Sequence, residues 1–404
     1  MPTYEDARNM ILAAVAPLGA ERVELPAALG RVLSEDLTAP WDMPLYDNSA
    51  MDGFAVRAAD CRVGSSLRVI GNIPAGGTVP PAVEAGCAVR IMTGAPVPPG
   101  CDAVVPIEEV EERDGAVLLR ESVKSSQHIR FRGEDVRSGN TVVSAGAVIG
   151  PPEISMLASF GKAVVPVYRR ARVGILSTGD ELIELGEQPA TGKIINSNAL
   201  SLAAAVREAG AEPLNLGIAR DDRESHLEKM AEGLKADVLI TSAGVSAGDR
   251  DMVRDCLEEL GVRQLFWRVD IKPGGPIAFG VKEGRPVFSL PGNPVSTMIT
   301  FEEFVKPALL RMMGHRRVIK PYVRATLRSE VRKKPGKVHF LRVRIEVENG
   351  VHWATSAGDQ NTGILRTMVR ANGIAVLPKE KTVFSAGEEV LVHLLRGDVG
   401  MTEE

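Results

Sequence analysis

The sequence predicts a multidomain α/β plus β protein with a three-layer α/β domain at its centre, the sheet of that domain mostly parallel. Three observations carry this. At 404 residues the chain exceeds what one hydrophobic core usually holds, so several domains are expected. Its middle third alternates apolar runs with helical patterns, as βαβ units do. On both sides of that third, short strand-like runs are punctuated by Gly and Pro.

Thr3 to Val15 reads as an amphipathic helix: Thr3 suits the cap, and Ala7, Met10, Ile11, Ala14 and Val15 recur at helical spacing. Leu25 to Val32 reads as a second short helix. From Trp41 to Met51, Pro, Asp, Asn and Ser break the apolar pattern, as at a domain crossover or a site loop. Gly53 to about Arg137 reads as a small all-β region, with strands at Leu67–Ile70, Cys87–Met92, Ala103–Ile107 and Ala116–Arg120. Thr141 to Val148 is extended. Glu153 to Phe160 is a short helix, with Pro151 and Pro152 before it and Gly161 after it.

In the middle third, strands are expected at Arg172–Leu176, Pro213–Ile218, Asp237–Thr241, Val262–Val269, Ile277–Val281 and Pro286–Leu290. Helices are expected at Asn198–Glu208, Arg223–Leu234, Asp251–Leu260 and Val295–Met313. The strand runs are apolar rather than alternating, as a sheet covered on both faces requires. After Gly314 the pattern returns to β, at Tyr322–Leu327, Val338–Val347 and Val390–Leu394. His339 to Glu346 alternates with period two, so one face of that strand is expected to be wet.

Composition excludes several classes. The net charge, 48 − 52 = −4, argues against general nucleic-acid binding, and an aromatic content of 4% leaves few surfaces for stacking bases. No run approaches the roughly 18 apolar residues of a membrane span. The start, Met1-Pro2-Thr3-Tyr4-Glu5-Asp6, lacks a basic stretch followed by an apolar one. A cytoplasmic protein with neither membrane nor nucleic-acid partners is expected. Cys61, Cys87, Cys101 and Cys256 form no C-x-x-C pair, and the six histidines form no H-E-x-x-H. No G-x-S-x-G element marks a serine hydrolase.

An open parallel sheet receives its ligand beyond the carboxyl ends of its strands, and the polar segments fall there. Ser177, Thr178, Gly179, Asp180 and Glu181 follow one strand; the loop with Ser242, Gly244, Ser246 and Gly248 follows another. Ser289, Pro291, Gly292, Asn293 and Pro294 end a third. Asn293 suits a helix cap and Pro294 a first helical turn, so this segment reads either as an anion site or as a well-capped turn. The Ser242–Gly248 loop is not a P-loop and reads either as a ligand loop or as a connection.

Carboxylates at Asp180 and Glu181, at Asp221 and Asp222, and at Asp249 and Asp251 follow three successive strands. As caps and first-turn acids they suit helix dipoles. Beside an anionic ligand they require a cation, and Mg²⁺ shared with phosphate resolves that conflict. Arg268 and Lys272 stand four residues apart and share a face if their strand runs straight; they serve either an oxyanion or solvent. Asn48–Phe54, Thr93–Pro98 and Arg132–Asp135 read as turns, or as pieces of a site that domain packing or a partner subunit completes.

Taken together, Asn48–Phe54, Arg90–Pro96, Leu176–Leu182 and Leu290–Pro294 give a chain that resembles the molybdopterin molybdenumtransferase family from about Thr3 to Leu395. This is also the family of the C-terminal enzymatic region of gephyrin. The resemblance implies an elongated discontinuous domain (1–44 and 138–168), an inserted β domain (45–137), an α/β catalytic domain (169–318) similar to molybdopterin adenylyltransferase, and a β-barrel-like domain (319–404). It implies a homodimer whose cleft lies between the α/β domain of one subunit and parts of the other, with molybdopterin adenylyltransferase as the upstream partner. The implied reaction inserts molybdenum from molybdate into adenylylated molybdopterin and releases AMP, with Mg²⁺ as the divalent ion.

By motif, the implied catalytic residues are Asp52, Thr93, Asp135, Glu181, Asp221, Asp251, Arg268 and Lys272. Glu181, Asp221 and Asp251 take the Mg²⁺–phosphate region; Arg268 and Lys272 take molybdate and other negative groups. Asp52, Thr93 and Asp135 come from the other subunit. Ser177 to Asp180, Ser242, Gly244, Ser246, Gly248, Pro273, Gly274, Ser289 and Pro291 to Pro294 shape the pterin or phosphate pocket. Thr362 lies in a further family-like loop, Asp359–Gly363. The sequence departs from the family at Arg268, where lysine is often found, at Gly275, where a second lysine is common, at Ala243, where glycine is common, and at Asn196, where an acid is often found. Two rival readings remain, a molybdopterin adenylyltransferase using ATP and a non-catalytic pterin-binding scaffold.

Overall fold

A computed structural model describes residues 1–77, 82–244 and 250–395, without the side chains of Arg250 and Asp251. The chain forms two compact units, one of residues 1–34, 146–150 and 164–404, the other of residues 35–145 and 151–163.

In the first unit, Arg172–Thr178 is buried at every position after Arg172, and Val238–Ser242 is buried throughout. Successive residues of a strand point to opposite faces, and the apolar run divides accordingly. Val173, Ile175, Val238, Ile240, Phe288 and Leu290 pack with Leu202 and Val206 of helix Ser197–Glu208 and with Val295 and Ile299 of helix Pro294–Thr300. Leu176, Leu239 and Val287 pack with Met230 of helix Arg223–Gly233 and with Val253 and Leu257 of helix Arg250–Glu259. The predicted three-layer arrangement follows directly from that division.

The sheet runs in the order Glu212–Ala219, Arg172–Thr178, Val238–Ser242, Arg285–Leu290, Ala278–Lys282, Arg263–Phe266. The first four strands are parallel; Ala278–Lys282 pairs antiparallel on both sides. Helix Tyr4–Ala14 is held by a capping box in which Thr3 Oγ1 accepts from the Asp6 amide at 3.1 Å.

Two helices differ from expectation. Leu25–Val32 forms only a 3₁₀ turn over Leu25–Ala28, ended as Gly30 enters positive φ (+74°). The helix expected over Val295–Met313 divides into Pro294–Thr300, a π segment Phe301–Val305, and Lys306–Met312. Pro307 has no N–H to donate and its ring crowds the carbonyl of Glu303, so the turn before it widens. That widened turn carries a buried carboxylate. Tyr4 Oη donates to Glu303 Oε2 at 2.6 Å, and His393 Nδ1 lies 3.0 Å from the same oxygen. Burial raises the proton affinity of Glu303, but the hydrogen bond and charge of His393 outweigh it and hold the carboxyl below its usual range.

Five strands close a barrel: Val338–Glu348, Val351–Ser356, Tyr322–Leu327, Glu389–Leu394 and Gly373–Leu377, the last pairing back to the first. The wet face expected over His339–Glu346 starts only at Arg344. Before it, Phe340 packs in the α/β core, its ring 5.2 Å from Tyr4, and Arg342 is fully buried. Ile271–Lys272 adds a short parallel strand beside Val338–His339.

The second unit is built on a six-stranded sheet ordered Ala103–Pro106, Gly53–Val56, Cys87–Ile91, Ser66–Ile73, Ala116–Leu119, Val110–Arg113, as the short apolar runs predicted. Asp52-Gly53 is not a turn. Gly53 opens a strand where a Cβ would lie 1.9 Å from the Val105 carbonyl oxygen, so no side chain fits. Helix Pro151–Ser159 carries both prolines in its first turn. Among the described residues no helix is long and apolar enough to cross a membrane.

His339 gives a test of the barrel seam. Burial, then the charges of Lys272, Lys333 and Arg342, lower its pKa from 6.5 to about 4. Below 6.5 the unfolded chain takes up a proton that the folded chain refuses until about pH 4. Stability present above that window is therefore lost as pH falls through it, at up to about 1.4 kcal/mol per pH unit. In urea melts across the window, the parent should lose more stability than His339→Gln as the pH falls.

Candidate functional site

Three neighbouring parallel strands end at Thr178, Ser242 and Leu290, and the chain leaves each through small residues. Close approach requires them. A Cβ on Gly292 would stand 3.0 Å from the Cβ of Ala243, and one on Gly179, at φ +136°, would stand 2.2 Å from Glu181 Oε2. Ala243 itself is held at φ +79°, a left-handed conformation that costs a residue with a Cβ about 1–2 kcal/mol.

Two asparagines bind these loops together. Ser177 Oγ donates to Asn196 Oδ1 at 2.9 Å, and the same oxygen caps helix Ser197–Glu208 by accepting from the Ala199 amide at 3.3 Å. Asn198 Nδ2 donates to Ser242 Oγ at 2.9 Å and to the Gly292 carbonyl at 2.8 Å. Beside them the short parallel ladder Leu182–Ile183 with Ile194–Ile195 forms a wall. The result is a cleft of about 480 Å³ lined by Ser177, Glu181, Asn196, Asn198, Ser242, Ala243, Gly292 and Pro294, among others. A second cleft of about 470 Å³ is lined by Thr178, Gly179, Glu181, Asp221, His226, Ala243 and Met252. Glu181 and Ala243 line both.

The carboxylates have divided roles. Asp180 and Asp221 satisfy each other's backbone: the Asp180 amide donates to Asp221 Oδ2 at 3.2 Å and the Asp221 amide to Asp180 Oδ1 at 3.3 Å. Lys193 Nζ donates to the Asp180 carbonyl at 2.6 Å. Asp222 is a helix cap, accepting from the Ser225 amide at 2.8 Å. Ser246, Gly248, Asp249 and the Asp251 side chain lie outside the described residues, within which no three His, Cys, Asp or Glu side chains converge as a metal cage. Glu181 and Asp221 do face one cleft. Mg²⁺ commonly takes one or two carboxylates plus substrate phosphate, so this pair suits an ion arriving with its ligand rather than a caged one.

Asn293 caps the next helix, accepting from the Val295 amide at 3.2 Å, with Pro294 in the first turn and Ser289 and Pro291 buried behind. The Arg268–Lys272 pairing is corrected. Their strand ends at Phe266; Lys272 belongs to the separate strand Ile271–Lys272 beside the barrel, so no common face follows from their spacing. After Lys272 the chain is tightly packed: Pro273 and Gly274 are buried, and a Cβ on Gly274 would stand 2.4 Å from Thr300 Cγ2. Lys337 Nζ lies 3.8 Å from the point a Cβ at Gly275 would occupy, so positive charge borders the loop although residue 275 brings none.

In the second unit, Asp52 Oδ1 accepts from the Thr93 amide and from Thr93 Oγ1, each at 2.7 Å, and these bonds hold its carboxyl below the usual range. Asp135 stands apart from that pair, in a hollow with Met43, Pro44, Asn48, Arg130 and Glu134. Thr362 sits in a loop folded over a buried cation, for Arg342 Nη2 donates to the carbonyls of Asp359 at 3.5 Å and Asn361 at 3.3 Å. Arg342 and Asn198 carry no sequence signal as site residues, and Asn196 stands out only as a departure from the family pattern. Arg342 occupies an ordinary strand position, and only its burial reveals it; the asparagines stand at the start of the helix Ser197–Glu208, where a capping residue is common.

Residues 2–161 match the family model of the MoeA N-terminal region (domain I and II), 174–311 that of a probable molybdopterin binding domain, and 324–395 that of the MoeA C-terminal region (domain IV). The chain is 38% identical over 405 residues to the molybdopterin molybdenumtransferase of Haemophilus influenzae, covering 98% of this chain and 100% of that protein. The chain belongs to the molybdopterin molybdenumtransferase family. A second family member, molybdopterin molybdenumtransferase 2 of Mycobacterium tuberculosis, is 37% identical, covering 92% of this chain and 94% of that one. The crystal structure of the molybdopterin biosynthesis moeA protein from Pyrococcus horikoshii superposes with a TM-score of 0.84 at 32% identity, over 98% of this chain and 100% of that chain. The family fold therefore extends over 98% of the chain.

Ala243→Gly should relieve the left-handed strain. After the greater unfolded-state entropy of glycine is subtracted, a gain of roughly 0.5–1 kcal/mol is expected in chemical denaturation. A loss of stability would show that the Ala243 methyl contributes more by packing than its backbone costs.

Proposed function

We propose that this enzyme inserts molybdenum from molybdate into adenylylated molybdopterin, releasing AMP and forming molybdenum cofactor with Mg²⁺. The observation that carries the reading is the convergence of three parallel strand ends on one cleft, within the segment matched to the molybdopterin binding model. Molybdate must be brought onto a dithiolene while a phosphoanhydride is cleaved. Fixed positive groups that hold an oxyanion and donors aimed at developing negative charge are what such a step needs.

In this reading the cleft lined by Ser177, Ser242 and Gly292 receives the pterin, and Thr178, Gly179 and Asp180 border the phosphates. Glu181, Asp221 and Asp251 hold Mg²⁺, which when bound neutralises phosphate charge. Lys272 and Arg268 hold molybdate; the His339 pKa is lowered first by burial and then by the charges of Lys272, Lys333 and Arg342, which are gathered at that seam. Asp52, Thr93 and Asp135 act from the second subunit of a homodimer, and the Asp52–Thr93 bonds keep that carboxylate ionised and oriented. We propose also the four-part division at 1–44 with 138–168, 45–137, 169–318 and 319–404, a cytoplasmic setting, and supply of substrate by a molybdopterin adenylyltransferase.

The assay supplies adenylylated molybdopterin, molybdate and Mg²⁺ and follows AMP release with cofactor formation. Turnover is expected, with Asp221→Ala and Lys272→Ala each lowering it about 10²-fold or more. No AMP release from a folded dimer overturns the reading in favour of a pterin-binding scaffold. Turnover of ATP with unmodified molybdopterin would favour the adenylyltransferase instead.

A further inference from the structure

We propose that Lys193 and Arg220 form a phosphate-binding rim on the loop 179–182, holding the nucleotide phosphate of the substrate and of released AMP by charge that no metal supplies; this rests on the transfer reaction proposed above. The inference begins with two cations that share an acceptor. Lys193 Nζ donates to the Asp180 carbonyl at 2.6 Å. Arg220 Nη1 donates to the Leu182 carbonyl at 3.1 Å and stands 3.5 Å from the same Asp180 carbonyl. Both residues are exposed, and among the described residues neither side chain bonds to a carboxylate.

Acids stand close by, which makes this choice of partners informative. Asp221 follows Arg220 directly, yet its carboxylate accepts from the Asp180 amide at 3.2 Å, and the Asp180 carboxylate accepts from the Asp221 amide at 3.3 Å. Tying down the loop calls only for a donor, which a neutral amide or hydroxyl supplies as well. Two positive charges drawn to one neutral oxygen repel each other, and each keeps N–H groups unspent. An anion lying across them removes the repulsion and takes up the spare donors.

Position selects the anion. Lys193 precedes Ile194, which lines the cleft of about 480 Å³, and Arg220 precedes Asp221, which lines the cleft of about 470 Å³. Glu181, between the two anchoring carbonyls, lines both. A negative group that enters beside Glu181 and Asp221 meets like charge, so fixed cations at the rim serve it even when Mg²⁺ is shared with the ligand. A phosphate has oxygens enough for an ammonium, a guanidinium and a metal at once. Adenine and pterin rings carry donors as well as acceptors and match a doubly cationic rim less well. Molybdate shares the oxyanion chemistry of phosphate, and the experiment separates the two.

The test measures equilibrium binding of AMP, adenosine and molybdate to the full chain at neutral pH, with Mg²⁺ and with the metal chelated. The parent should bind AMP more tightly than adenosine in both conditions. Lys193→Gln and Arg220→Gln keep an N–H for the anchoring carbonyl and lose the charge. Each should lower AMP affinity about tenfold with the metal chelated and leave adenosine affinity unchanged. Lys193→Arg keeps the charge and should keep AMP binding. AMP affinity unchanged in both glutamine variants overturns the assignment while leaving the transfer reaction intact. Equal losses for AMP and adenosine overturn it too, because the two residues then only brace the loop. Loss of molybdate binding with AMP binding unchanged overturns it in favour of a molybdate site. AMP binding by the parent that vanishes on chelation also overturns it, since the metal alone then supplies the charge. If the parent binds AMP in neither condition, the assignment and the transfer reading fall together.

Discussion

Burial of the parallel strands on both faces is the constraint from which the site follows. A strand covered on two sides can carry polar groups only where it leaves the sheet. Ser177 and Thr178, Ser242, and the segment after Leu290 stand at those exits. The strands are neighbours in register, so the exits meet, and the loops approach until Gly292 and Ala243 leave no room for another carbon. The cleft is thus a product of packing. Helix Ser197–Glu208 completes it, because the asparagines at its start are anchored to the same three exits.

Charge is sorted by a similar economy of position. The acids at the strand ends are partly committed to backbone: Asp222 to a cap, and Asp180 and Asp221 to each other's amides. Among the described residues, the acids that line the clefts are Glu181 and Asp221. Positive charge gathers also where Ile271–Lys272 joins the barrel. The barrel is fastened to the α/β core there and again at the Tyr4–Glu303–His393 cluster, which ties the first helix, the widened turn before Pro307 and the last barrel strand to one carboxylate. Removing the Glu303 side chain would strand two buried partners, so this cluster governs the geometry of the seam as well as its stability.

Much of the fold was legible in the residues. The apolar runs at 172–178, 238–242 and 285–290 announced a sheet covered on both faces, and the caps at Thr3, Asp222 and Asn293 were readable as caps. Short-range patterns failed where a distant segment decided the outcome. The His339–Glu346 alternation promised a wet face, but Tyr4 and the α/β core cover its first half. Arg268 and Lys272 looked like one face of one strand until the chain broke register after Phe266 to join the barrel. Asp52-Gly53 looked like a turn because the glycine requirement comes from Val105, fifty residues away in sequence. The site was visible as polar punctuation after strands; the partners left unsatisfied at Asn196, Asn198 and Arg342 were not, because satisfaction is a property of three-dimensional neighbours.

A structure of the protein crystallised with adenylylated molybdopterin tests the central claim most directly. The account predicts the pterin ring in the cleft lined by Ser177, Ser242 and Gly292 at the ends of the parallel strands, with its phosphates towards Glu181 and Asp221. A ring bound elsewhere, such as the barrel hollow between Arg344 and Arg370, with the strand-end cleft empty, would contradict it.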